Sequence, residues 1–288
     1  MATRSTRHIP SRRWLSAMIA LVAAALLGIF VSAGATAMTG PAHQGHPTSS
    51  GGATAKTTVV FVHGAFADSS GWNSVAGRLI EDGYPVLAFS NPLRGPIADA
   101  ANLRDFLSTI PGPVVLVGHS YGGAVITNAA TGNPNVKALV YVAAYALGEG
   151  ESVAQANDLG GGHTDVTNHL VVRPFPGASS GDADAYIDPA WFPRLFAPDL
   201  PRDTAQVMAA TQRPAALAAL VTPSGPPAWK TIPSWYLVAN QDRIIPPEAE
   251  RVMAQRAHAT TVQIDSSHVA MMSQPGVVTR LIRAAANG

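Results

Sequence analysis

The chain of 288 residues contains no cysteine. That absence excludes disulfides, thiol nucleophiles and cysteine-ligated metal sites, so the fold must be held by its core alone. Charge is sparse as well. Only 13% of residues are Asp, Glu, Lys or Arg, and the net charge is +1. No acidic residue precedes Asp68, and no basic tract follows Arg13. Without a basic stripe in the body of the chain, nothing points to nucleic acid as a partner. What is abundant is apolar side chain, at 47% of residues. High apolar content with little net charge excludes a wholly disordered chain and suits a sizeable core in one or two domains.

Residues 1–37 read as an export signal. Arg4, Arg7, Arg12 and Arg13 precede an apolar run from Trp14 to Val31, and Ala35-Thr36-Ala37 fits a signal-peptidase site. The segment "SRRWL" partly resembles a twin-arginine signal. The run is also long enough for a retained anchor; cleavage, with a secreted or cell-envelope location and no remaining membrane span, is the expectation. Residues 38–56 are rich in Gly, Ser, Thr and Pro and read as a disordered linker, in which His43 and His46 are solvated. Removing the four leader arginines from the 19 basic residues leaves 15 against 18 acidic ones, a net of −3. The positive balance therefore belongs to the leader and not to a binding face.

From residue 57 the chain alternates β-branched runs with helical segments. Strands are expected at 57–64, 84–92, 112–118, 136–144, 234–240 and 260–265. Helices are expected at 71–83, 96–110, 123–132, 247–257 and 275–286. Strands apolar on both faces, alternating with helices, predict an α/β domain over 57–288: a mostly parallel sheet flanked by helices. Between about 146 and 225 the rhythm breaks into Pro, Gly, Asp and aromatics. That stretch is expected to be a helical or irregular cap inserted after the strand at 136–144, with helices at 203–212 and 214–221.

Gly-x-Ser-x-Gly occurs twice, as "GHSYG" at 118–122 and "GASSG" at 177–181. The pattern alone is weak in a glycine-rich chain. Context separates the two. Ser120 has "VVLV" before it and "AVITNAA" after it, the strand, turn and helix that thrust a serine out at the sheet's C-terminal edge. Ser179 lies between "RPFP" and "DADAY", which is neither, and reads as a surface turn.

A serine hydroxyl needs a base to take its proton, and the base needs an orienting carboxylate. With this elbow the chain order is Ser, then acid, then His. His268 follows in a loop before the last helix and is the expected base. His163 and His169 lie in the insertion, and His258 is expected in a surface helix. His119 is expected to pack. Asp242 stands just past a strand end, where a parallel sheet offers side chains to a site; Asp265 is its rival, more suited to bracing the loop. The oxyanion of an acyl-transfer intermediate needs N–H donors. Tyr121 offers one from its backbone. The loop "VHGAF" offers the other, Ala65 ahead of Phe66, with His63 and Gly64 shaping the turn. Phe66, Trp191 and Phe192 are the expected substrate-binding residues. The cap aromatics Tyr186, Trp191, Phe192 and Phe196, with Trp229, either form a binding wall or anchor the cap to the core.

Together "FVHGAFADSSGW", "GHSYGG", "NQDRIIPPE" and "SSHVAM" resemble the α/β-hydrolase superfamily, in its bacterial serine esterase branch related to plant methyl esterases and hydroxynitrile lyases. The resemblance covers about 57–288, loosely over the cap. It implies Ser120 as nucleophile, Asp242 as orienting acid, His268 as base and donors at Ala65 and Tyr121. Lyase members carry a lysine after the catalytic histidine and a hydroxyl in the first loop. Here those positions are Val269 and Gly64, which disfavours cyanohydrin cleavage. The expectation is an exported serine hydrolase cleaving an apolar, small-molecule carboxylic ester through an acyl-enzyme, with no cofactor or metal required. Lactone or amide hydrolysis and cofactor-free peroxidation use the same triad. A hydrolase-like binding protein is the non-enzymatic alternative.

Overall fold

Apolar runs become the six strands of one parallel sheet in the computed structural model, which describes residues 56–288. The expected leader at 1–37 and the linker at 38–56, Lys56 apart, lie outside the described residues. The strands are β1 (Thr58–Val62), β2 (Val86–Phe89), β3 (Val114–Ser120), β4 (Val136–Ala144), β8 (Ser234–Ala239) and β9 (Thr260–Ile264), with three short strands of the cap, β5 (Leu170–Arg173), β6 (Asp184–Ile187) and β7 (Ala215–Ala216), between β4 and β8. Every residue of β1 and β3 is buried, and in β4 only Lys137 is exposed. Such strands are covered on both faces, which is why they read as continuous apolar runs without alternation.

The strand order is β2-β1-β3-β4-β8-β9. After β2 the chain crosses over β1 to place β3 on its other side. The order therefore reverses between β1 and β3, and their C-terminal ends open a crevice there. The helices around the sheet are α1 (Asn73–Glu81), α2 (Pro96–Ser108), α3 (Tyr121–Ala129), α8 (Pro247–Arg256), α9 (Ala270–Ser273) and α10 (Pro275–Asn287), with four short or cap helices between α3 and α8. α10 buries Val278, Leu281, Ile282 and Ala285, an apolar stripe at helical spacing. α8 starts on Pro247 with Glu248 and Glu250 in its first turn and ends near Arg256, charges that suit the helix dipole. Among the described residues no helix is long and apolar enough to cross a membrane.

The cap carries more β-structure than its composition suggests. Its elements are α4 (Val153–Ala156), β5 (Leu170–Arg173), β6 (Asp184–Ile187), α5 (Phe192–Leu195), α6 (Arg202–Thr211), β7 (Ala215–Ala216) and α7 (Leu217–Val221). β5, β6 and β7 form a separate antiparallel sheet. The helix expected at 214–221 thus starts only at Leu217, because Ala215 and Ala216 pair with Ala185 and Asp184. Pro214 favours extended backbone before it and has no N–H to give a helix. "GASSG" lies in the loop between β5 and β6, with Gly177 at φ 81° and Gly181 at φ 85° and Ser179 exposed. His258 is not in a helix: it sits in the turn after α8 with φ 48°.

Candidate active site

Ser120 ends β3 and caps α3 with φ 53° and ψ −127°, a strained conformation for a residue with a side chain. The β3–β4 register shifts between His119 and Ser120, where the strand breaks into the turn. Close approach makes the strain possible. A Cβ on Gly122 would stand 2.2 Å from the Val62 carbonyl oxygen, and one on Gly64 would stand 2.5 Å from Ser120 Cβ. Glycine is thus required on both sides of the serine, where β1 and β3 meet.

His268 and Asp242 come together from adjacent strand ends. Asp242 lies in the turn after β8, and His268 in the loop after β9. His268 Nδ1 is 2.6 Å from Asp242 Oδ2, with both side chains fully buried. Asp242 Oδ1 accepts the N–H groups of Ile244 at 2.7 Å and Ile245 at 3.0 Å, so the carboxylate cannot rotate away. An acceptor at Nδ1 fixes the proton there and leaves the Nε2 lone pair free. Nε2 has no hydrogen-bond partner among the described residues, Ser120 Oγ included. The histidine nonetheless sits beside the elbow, because the ring of His119 packs 4.6 Å from that of His268.

His119 does more than fill space. Its Nε2 is 2.8 Å from the His268 carbonyl oxygen, and donates to it. Burial, and then the neighbouring His268, push its pKa well below the ordinary value, so it is neutral. His63 is also structural. Asn91 N–H donates to Nε2 at 3.1 Å, which leaves Nδ1–H to donate to the Gly64 carbonyl at 2.9 Å. Asp265 is exposed and accepts from Asn240 at 3.2 Å, away from His268.

Of the two amides in "VHGAF", Phe66 N–H is engaged, donating to the Arg213 carbonyl at 2.9 Å. No hydrogen bond among the described residues takes the Ala65 amide. Phe66 holds φ 61°, which turns the loop at this point. Tyr121 is the first residue of α3, so its N–H has no intrahelical acceptor. Its phenol donates to Asp99 at 2.7 Å, and Asp99 also accepts the amides of Arg94 and Gly95. Burial raises the Asp99 pKa in spite of these bonds. The pair pins the start of α3 to the start of α2.

A small cavity of about 60 Å³ lies against Ser120, Ala65 and Tyr121. Its other walls include Phe66, Tyr145, Val153, Leu220 and Ile244, which are apolar apart from the Tyr145 hydroxyl. Trp191 and Phe192 are elsewhere. Trp191 is exposed and stacks on His169 at 3.7 Å, and Phe192 is buried against Phe196 at 4.7 Å. Phe196 in turn meets the His268 ring edge-on at 4.9 Å. Trp229 donates its N–H to the Leu147 carbonyl. Phe192 and Phe196 anchor the cap, Trp191 packs within it, and none of these aromatics lines the cavity. Tyr145 and Ile244 adjoin the ends of β4 and β8, a position that marks them in the sequence; Val153 and Leu220 carry no such signal. Larger clefts, up to about 670 Å³, open on the cap surface around Arg194 and Arg202, away from the serine. Among the described residues no group of three or more His, Asp or Glu side chains is arranged to hold a metal ion.

The alpha/beta hydrolase family matches residues 59–281. Methylesterase 17 of Arabidopsis thaliana is 26% identical over 251 residues, spanning 79% of this chain and 90% of that protein. The alpha/beta hydrolase nvfD of Aspergillus novofumigatus (strain IBT 16806) is 27% identical over 257 residues, spanning 80% of this chain and 97% of its own. Among solved structures, a pyrethroid hydrolase from Sphingobium faniae JZ-2 superposes with a TM-score of 0.66 at 21% identity, over 81% of this chain and 98% of that one.

Proposed function

The chain belongs to the alpha/beta hydrolase family, and on that premise we propose that it is an exported serine esterase that cleaves carboxylic esters through Ser120, His268 and Asp242. His268 Nε2 takes the Ser120 proton as Oγ attacks the ester carbonyl. The resulting oxyanion rests on the amides of Ala65 and Tyr121. His268 then gives its proton to the leaving alcohol as the tetrahedral intermediate collapses to the acyl-enzyme. Water, deprotonated by the same Nε2, releases the acid and restores Ser120. Asp242 keeps the proton on Nδ1 throughout and stabilises the imidazolium.

One observation carries this reading: a buried Asp242–His268 pair, 2.6 Å apart, whose outer nitrogen is unengaged next to a strained serine. Relatives named as a methylesterase and a pyrethroid hydrolase favour an ester over an amide. The apolar walls beside Ser120 favour an apolar acyl or alcohol group. Residues 1–37 support export. Expressed with that leader in a bacterial host, the chain is expected to turn over short p-nitrophenyl esters in the exported fraction. Ser120→Ala is expected to lower kcat by at least about 10³-fold while leaving the fold intact. Full activity in that variant would end the assignment.

A further inference from the structure

Behind Asp242 lies a second carboxyl group that the reaction does not use. Glu250, in the first turn of α8, is fully buried. Its Oε2 accepts the Ala239 N–H at 3.0 Å, at the end of β8. Its Oε1 receives no N–H or hydroxyl donor. The Ala239 carbonyl accepts the Asp242 N–H at 3.1 Å, so both carboxyl groups grip the same strand end. Both residues are thus held on the Ala239 peptide, one on its N–H and the other on its carbonyl, with the free Glu250 Oε1 buried behind the acid of the pair.

Counting acceptor sites indicates what passes between them. A carboxylate offers about four. On Asp242, Ile244 and Ile245 fill Oδ1, and His268 takes one site on Oδ2. One site remains, and no hydrogen bond among the described residues fills it. Two ionised carboxylates on one peptide, both side chains shut from water, repel each other in a medium that screens them poorly. A protonated Glu250 removes the second charge and supplies the missing donor at once.

We propose that Glu250 is a positioning residue that stays protonated at neutral pH and donates its acid proton to Asp242, so that the two share one negative charge and hold Asp242 in register for His268. This rests on the esterase reading for its link to turnover, but the protonation state can be measured without a substrate. Burial first, and Asp242 second, push the Glu250 pKa well above its ordinary value. The other ionisable groups nearby do not neutralise it. Tyr236 on β8 and Tyr145 after β4 are buried phenols pushed upward, by burial above all. Arg251 turns outward to Asn240 and Gln263.

The sign follows from linkage. Glu250 binds its proton in the folded chain and loses it in the unfolded one above the ordinary carboxyl range. Its contribution to stability is therefore complete below about pH 4.3 and is lost as pH rises towards the folded pKa. Glu250→Gln keeps an acceptor for Ala239 and a donor for Asp242 without the ionisation. Urea unfolding of both proteins between pH 5 and 7 is expected to show the folding equilibrium of Glu250→Gln gaining on the native protein by about tenfold per pH unit. Infrared spectra at pH 7 are expected to show a protonated carboxyl band that Glu250→Gln lacks. In turnover, Glu250→Met is expected to lose kcat with little change in KM, and Glu250→Gln to recover most of that loss. Parallel stability curves and no such band would overturn the proposal. If Ser120→Ala kept its activity, the esterase reading would fail, and the unfolding and infrared results would still decide the state of Glu250.

Discussion

Asp242 shows how much one side chain can be asked to do by its hydrogen bonds. It accepts from two backbone amides on Oδ1 and from His268 on Oδ2. Asp242→Asn keeps the size and can keep one oxygen towards Ile244 and Ile245. Its amide NH₂ then faces His268 Nδ1, where it only donates. The imidazole must answer with a lone pair at Nδ1, which moves the proton to Nε2 and, on the proposed mechanism, leaves no base for Ser120. The expected outcome is a fall in kcat of about 10³- to 10⁴-fold. A thermal unfolding midpoint close to that of the native protein would show that the tautomer, and not the fold, was lost. Near-native turnover would mean that Asp242 does not orient the base.

At the scale of elements, the loop that carries His268 is held from two sides. From the core, His119 on β3 binds the His268 carbonyl. From the cap, Asp199 accepts the Ser267 amide at 2.8 Å and the Ser267 hydroxyl. The cap therefore braces the histidine loop as well as covering the site. Asp199→Ala removes that brace without touching the reacting atoms. It is expected to reduce kcat/KM by up to about 10²-fold, the cost of a small misplacement of a catalytic group. Asp199→Asn, which retains an acceptor for the Ser267 amide, is expected to recover part of the loss; no effect in either variant would remove the cap from the positioning of His268. The elements around this loop differ in how legible they are in the sequence. Five of the six sheet strands are legible because each is an apolar run between turn residues, and β9, TTVQI, is legible from its β-branched residues. Asp242 and His268 are legible because both follow strand ends at the same edge of a parallel sheet, in the order that the serine elbow leads one to seek. The cap sheet is not: β7 is two alanines, and β5 and β6 are four-residue runs separated by a Pro- and Gly-rich loop. Trp191 and Phe192 suggest a binding wall by composition alone, yet side-chain direction in an irregular segment follows no period. Glu250 reads as a favourable charge at a helix start, and nothing in the local sequence says that this face of α8 is turned inward.

For the described molecule as a whole, the consequence of these contacts is a site with little access to solvent. Ser120 is only 4% exposed and His268 not at all. The cavity beside Ser120, at about 60 Å³, is well below the roughly 300 Å³ at which drug-sized ligand pockets begin. An acetyl or propionyl group suits it, and a long acyl chain requires the cap to give way. The wall that must yield is identifiable. Leu220 lies on α7, a five-residue helix of the cap, and lines the cavity. The native enzyme is therefore expected to prefer p-nitrophenyl acetate and propionate over the octanoate ester. Leu220→Ala opens the wall by a branched side chain that makes no hydrogen bond to Ser120, Asp242 or His268. Each methylene accommodated in an apolar pocket is worth about tenfold or more in kcat/KM. The ratio of octanoate to acetate turnover is thus expected to rise by about tenfold in the variant. An unchanged ratio would show that the cap opens fully during turnover, so that its closed form does not set the length of the acyl group.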